Sequence, residues 1–199
     1  DRDHTLWSDD PAEISDRLGW LEVTADVRAA ADRLDGLAAA AQADGLTHVL
    51  VMGMGGSSLF PEVIARTFPT GAGALELSVL DSTDPAAVAR AAVHNPPEHT
   101  LYLASSKSGG TIETRSHLEF FWERVGKPEQ FAVITDPGSA LGEIARERGF
   151  RDIFETRADI GGRYSALSFF GLVPAALAGA PWAALVDAAD AAAPGLRSE

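Results

Sequence analysis

The chain has 199 residues, of which 46% are apolar and 23% charged, the balance expected of a single globular α/β domain. A formal charge of −13 argues against nucleic-acid binding, and the absence of cysteine excludes disulfides, thiolate metal sites and a cysteine nucleophile. No apolar run approaches the roughly 20 residues needed to cross a bilayer, and the polar start Asp1-Arg2-Asp3-His4 lacks a signal-peptide core. A cytoplasmic protein without a membrane partner is therefore expected. Because the first residue is Asp1 and not Met, it is expected to be a piece of a longer chain.

The first 45 residues read as helical. Asp9-Asp10-Pro11 resembles a helix start, followed by Ile14, Leu18 and Leu21 at helical spacing. An Ala-rich helix is expected over 24–43, with Val27, Leu34, Leu37 and Ala41 as its apolar stripe and Asp44-Gly45 as its end. The pattern then changes to short apolar runs at 47–52, 75–80, 100–104, 131–135 and 152–155, which alternate with helical stretches at 59–68, 85–94, 112–125 and 139–148. Runs that are almost continuously apolar suit strands covered on both faces. Strand–helix alternation predicts a parallel sheet between helices, a three-layer α/β/α sandwich. Residues 165–190 read as helical with a break near Gly179-Ala180-Pro181, and Pro194-Gly195 as a linker. The expected organisation is a helical segment over 1–45, a sheet domain over 46–180, and a final helix with the start of a linker over 181–199.

Ligands of such sheets bind beyond the carboxyl ends of the strands, and three loops there stand out. The first is Gly53-Met54-Gly55-Gly56-Ser57-Ser58, between a strand and a helix. Its glycines allow close backbone approach, and a helix N-terminus suits a phosphate; a plain Gly-rich turn is the alternative. The loop also fits part of a dinucleotide fingerprint, but Ser58 occupies the third glycine position. The second loop is Ser105-Ser106-Lys107-Ser108-Gly109-Gly110-Thr111, seven residues able to donate and none acidic. Together with Thr111 as a helix cap, these could surround a dianion; a solvent loop with an incidental, exposed lysine is the alternative. The third is Gly161-Gly162-Arg163-Tyr164-Ser165, where Arg163 could stabilise developing negative charge or simply be a solvated surface group. The charge of −13 does not oppose a local anion site, because exposed charges are screened beyond roughly 8 Å at physiological salt. His48, His94, His99 and His117 lack metal-ligand spacing, so no metal is expected. Phe121, Trp122, Phe169, Phe170 and Leu172 read as packing residues.

Together the three loops resemble the glucose-6-phosphate isomerase family. Gly53 to Pro61 is similar to its G-x-G-G-S-x-L-G-P signature, Ser106 to Thr114 to its S-K-T/S-x-T-T-x-E-T segment, and Ile160 to Ser165 to its V/I-G-G-R-Y-S segment. The chain also resembles the isomerase region fused behind transaldolase in some bacterial proteins. The resemblance implies a sugar-isomerase (SIS) domain, flavodoxin-like, with a five-stranded parallel sheet plus N- and C-terminal helices. By position it implies that Gly56, Ser57, Ser106, Lys107, Ser108 and Thr111 hold the sugar phosphate. Arg163 would stabilise an enediolate, and Gly55, Gly109, Gly110, Glu113 and Gly162 would support the site. It implies no cofactor. Its implied partners are a sugar phosphate, the remainder of the isomerase chain and a homodimer mate. Phe60 stands where the family has glycine, and Gly110 where it has threonine. The family's glutamate base, ring-opening histidine and C-terminal lysine come from segments with no match here, so this piece alone is expected to be inactive or nearly so. Two other readings stay open: a non-catalytic sugar-phosphate sensor and a dinucleotide-binding domain.

Overall fold

A computed structural model describes residues 3–197. Five strands form one all-parallel sheet: β1 (His48–Gly53), β2 (Glu76–Leu80), β3 (Thr100–Ser105), β4 (Phe131–Thr135) and β5 (Asp152–Glu155), in the order β2-β1-β3-β4-β5. Every strand falls within a residue of the run that predicts it. Burial on both faces is the reason, since alternate residues feed two separate cores. Val49, Val51, Leu101, Leu103, Ala132 and Ile134 face one core, whereas Leu50, Met52, Tyr102, Ala104, Phe131 and Val133 face the other.

Among the described residues eight α-helices cover the sheet. On the first face lie α1 (Val23–Ala29), α2 (Ala31–Ala43), α3 (Gly56–Thr67), α7 (Phe169–Leu177) and α8 (Trp182–Arg197). On the second lie α4 (Pro85–His94), α5 (Ile112–Val125) and α6 (Ala140–Arg148). Asp84 caps α4 through Ala86 and Ala87, with Pro85 at its first position, and Ser139 caps α6 through Gly142. The packing residues Phe121, Phe170 and Leu172 are buried as expected.

Four expectations are corrected. Residues 9–22 form no α-helix; they form turns and the 3-10 helices Ser15–Arg17 and Gly19–Glu22. Leu18 is tied instead to Ile160 by an antiparallel bridge, and Gly19 N–H donates to the Asp159 carbonyl at 2.8 Å. Tertiary hydrogen bonds thus replace the helical ones that the apolar spacing suggests. The helix expected over 24–43 breaks at Ala30, which leaves the helical region at ψ 11°. Helix α3 begins three residues before the expected 59, which brings Ser57 and Ser58 inside it. Pro194 does not end α8, because it removes a single N–H from an exposed stretch and leaves the rest of the helix in place.

Candidate functional site

The chain leaves β1 to form β2 on one side, then returns to form β3 on the other. This reversal opens a crevice at the carboxyl ends of β1 and β3, because the two following helices, α3 and α5, lie on opposite faces. Gly53 at the end of β1 pairs with Ser105 at the end of β3, so the first two loops emerge side by side. Ser105 Oγ donates to the Ser57 carbonyl at 3.3 Å across them.

Gly55 makes the first loop possible. Its φ of 55° and ψ of −120° suit glycine and little else, and α3 starts at the next residue. Ser58 is fully buried and its hydroxyl donates to the Gly55 carbonyl at 3.0 Å. The Ser57 and Ser58 amides donate to Met54 and Gly55 carbonyls at 3.1 and 3.0 Å, which leaves fewer free helix N–H groups than the sequence suggests. Phe60, the first departure from the family pattern, is half-buried and packs over Gly171 of α7.

The second loop is more ordered than a solvent loop. Ser106 N–H donates to the Ile134 carbonyl at 3.0 Å, and its hydroxyl meets the Thr111 hydroxyl at 3.0 Å, closing the loop on itself. Thr111 is at the N-cap of α5 but makes no side-chain cap bond, since its hydroxyl serves Ser106. Ser108 Oγ accepts from Gly110 N–H at 3.2 Å, and both residues are exposed. Gly109 is buried between them.

Lys107 is not the incidental, exposed lysine of the alternative reading. It is half-buried, and its ammonium donates to Asp136 Oδ2 and to the Ala158 carbonyl, the latter at 2.8 Å. Asp136 N–H returns a bond to the Lys107 carbonyl at 3.0 Å, and Thr156 Oγ1 donates to Asp136 Oδ1 at 3.0 Å. The loop without acids therefore meets one from the loop after β4. The ammonium therefore already has two acceptors at the loop, a carboxylate and a carbonyl.

The third loop closes against the first. Gly162–Tyr164 forms a 3-10 turn, and Ser165 Oγ lies 2.7 Å from the Gly162 carbonyl and 3.3 Å from that of Gly56. The N-terminal segment straps this loop down: Trp20 stacks on Tyr164 with ring centres 5.4 Å apart. Between strap and loop lies a cavity of about 460 Å³ lined by Trp7, Glu13, Arg17, Trp20, Gly56 and Arg163, among others. Arg163 is exposed and makes no ion pair or hydrogen bond among the described residues, so it is free to meet an anion. Ser106, Lys107, Ser108 and Thr111 do not line this cavity; they stand on the β3 side of the crevice.

Glu113 is half-buried in the first turn of α5, one turn before His117. His117 is buried, and its Nε2 donates to the Ser82 carbonyl at 3.0 Å, tying α5 to the loop after β2. Burial pushes the imidazole below its ordinary value, against smaller opposing effects from that hydrogen bond and from the Glu113 and Asp81 charges. Beyond β5, Arg157 grips Asp159 through two hydrogen bonds of 2.9 and 2.8 Å, chiefly for which its guanidinium is held above the ordinary range. The described residues contain no His, Cys, Asp and Glu cluster able to hold a metal ion, and no helix among them is long and apolar enough to cross a membrane.

Neither Asp136 nor the strap is among the residues that the sequence singles out. Asp136 carried a signal, since it directly follows the fourth apolar run, where ligand-facing loops begin. The strap carried none, as its contacts are made only through the fold.

Residues 16–190 match the family model for phosphoglucose isomerase. The glucose-6-phosphate isomerase of Thermosynechococcus vestitus is 38% identical over 151 residues, which cover 72% of this chain and 28% of that protein. Among solved structures, a hypothetical protein of Thermus thermophilus superposes with a TM-score of 0.79 at 30% identity, over 92% of this chain and 44% of the other. A glucose-6-phosphate isomerase of Chlamydia trachomatis gives 0.67 at 26% identity, over 80% of this chain and 31% of the other. The chain thus spans less than a third of the length of the curated relatives it matches.

Proposed function

The chain belongs to the phosphoglucose isomerase family, and on that premise we propose that it supplies the phosphate end of a site interconverting glucose 6-phosphate and fructose 6-phosphate. Gly56, Ser57, Ser106, Lys107, Ser108 and Thr111 hold the phosphate through amide, hydroxyl and ammonium donors. Isomerisation moves a proton between two adjacent sugar carbons through a cis-enediolate. Arg163 offsets the charge that develops on its oxygen, while Gly55, Gly109, Gly110, Glu113 and Gly162 support the surrounding loops. The proton itself needs a positioned base, which in this reading is a glutamate from outside the three motif loops. This segment alone then binds the substrate and turns it over little or not at all.

One observation carries the reading. Gly53 faces Ser105, and Gly56 abuts Gly162, so the three motif loops meet at the topological switch of the sheet. The reading requires no metal or organic cofactor and assigns the protein to the cytoplasm, with the remainder of the isomerase chain, and a second copy, as partners. Calorimetric titration with 6-phosphogluconate and with NAD tests it. The sugar-acid phosphate is expected to bind and NAD is not, and the reverse result removes the assignment.

A further inference from the structure

We propose that Asp136 is a counter-charge that holds Lys107 in reserve and so sets how tightly the site takes a phosphate dianion. The proposal deepens the reading above and rests on it. Lys107 is the only cation of the β3 loop, and its ammonium already has a carboxylate partner. The pair is tight and only partly exposed, at 28% for the lysine side chain and 17% for the aspartate. Water therefore screens it less than a surface pair.

The aspartate is built into place. Its second oxygen accepts from Thr156 Oγ1 and its backbone N–H donates to the Lys107 carbonyl, so neither strand end can drift. The lysine is held twice as well, through Asp136 and through the Ala158 carbonyl. Two of the three N–H donors of the ammonium are thereby committed. A phosphate arriving at Ser106, Ser108 and Thr111 meets a neutral pair, not a free cation. To gain the lysine it must draw the ammonium from the carboxylate, and any part of Asp136 that stays charged repels it.

The consequence runs against the usual effect of a substitution at a binding site, because removing this acid strengthens binding. Asp136→Asn keeps an oxygen for Thr156 and the backbone bond to Lys107 but abolishes the competing charge. Affinity for inorganic phosphate and for 6-phosphogluconate, read by calorimetry, is expected to rise about tenfold, within the range of coupling energies measured inside one hydrogen-bonded network. Asp136→Asn combined with Lys107→Met removes the gain, since the effect acts only through the ammonium. A gain is not produced by misfolding, which makes the sign decisive. If the parent chain binds and Asp136→Asn binds equally or more weakly, the counter-charge proposal is overturned while the phosphate site stands. If neither protein binds either ligand, the phosphate-site reading falls and takes this proposal with it.

Discussion

A β-carbon placed on Gly56 would come within 2.0 Å of the Gly162 carbonyl oxygen. The first and third motif loops are therefore in backbone contact, with no side chain between them. This relationship joins the start of α3 to the turn that carries Arg163.

Gly56→Ala is expected to push the two loops apart. Overpacking of this kind costs about 1–3 kcal/mol, and a domain of this size loses about 2–4 °C of melting temperature per kcal/mol. Thermal unfolding by circular dichroism reads the loss, and calorimetry reads weakened binding of 6-phosphogluconate at a temperature where the variant is folded. An unchanged melting temperature shows that the loops part without cost.

Arg163→Ala separates catalysis from stability. The side chain is exposed and makes no hydrogen bond or ion pair among the described residues, so stability is expected to change by no more than about 0.5 kcal/mol. In the full-length protein, kcat is expected to fall about 10²–10³-fold, the range for losing one donor to a developing oxyanion. A steady-state assay that finds kcat intact takes Arg163 out of the mechanism.

His117 gives the fold a pH dependence of known sign. Its folded value lies below the ordinary 6.5, chiefly because the ring is buried. Below 6.5 the unfolded chain takes up a proton that the folded chain resists, so this group costs stability as pH falls from about 6.5 toward the folded value. His117→Gln keeps a donor for the Ser82 carbonyl and does not titrate. Melting temperatures between pH 7.5 and 5 are expected to fall more steeply for the parent than for the variant. Parallel curves refute the assignment.

Trp20→Ala tests the N-terminal strap. The stack on Tyr164 is worth about 0.5–1.5 kcal/mol beyond buried area, and its loss is expected to loosen the turn at Gly162–Tyr164. Amide hydrogen exchange at residues 161–164 is expected to quicken before exchange in β1 or β3 does. Exchange that stays unchanged there means the strap contributes no restraint to the Arg163 loop.

Much of the fold is written in local patterns. The run Val49-Leu50-Val51-Met52 is continuously apolar because Val49 and Val51 enter one core while Leu50 and Met52 enter the other. No soluble helix face demands such a run. The glycine at position 55 and the Ser-Lys-Ser-Gly-Gly-Thr loop are legible for the same reason, since special backbone angles and clustered donors need particular residue types. Leu18 shows where local reading stops. Its spacing from Ile14 and Leu21 is helical, yet its backbone bridges to Ile160, 142 positions along the chain. Ala30, where α1 gives way to α2, carries no breaking residue at all.

By itself the amino-acid order determined the five strands, the family, and which loops hold the donors, because each depends on neighbours a few positions apart. Only the tertiary structure decided which group partners the lysine of the loop after β3. Lys107 and Asp136 are 29 positions apart, and they pair because β3 and β4 lie side by side in the sheet. A Coulombic contact depends on distance through space, which a linear sequence leaves open until the strands are ordered.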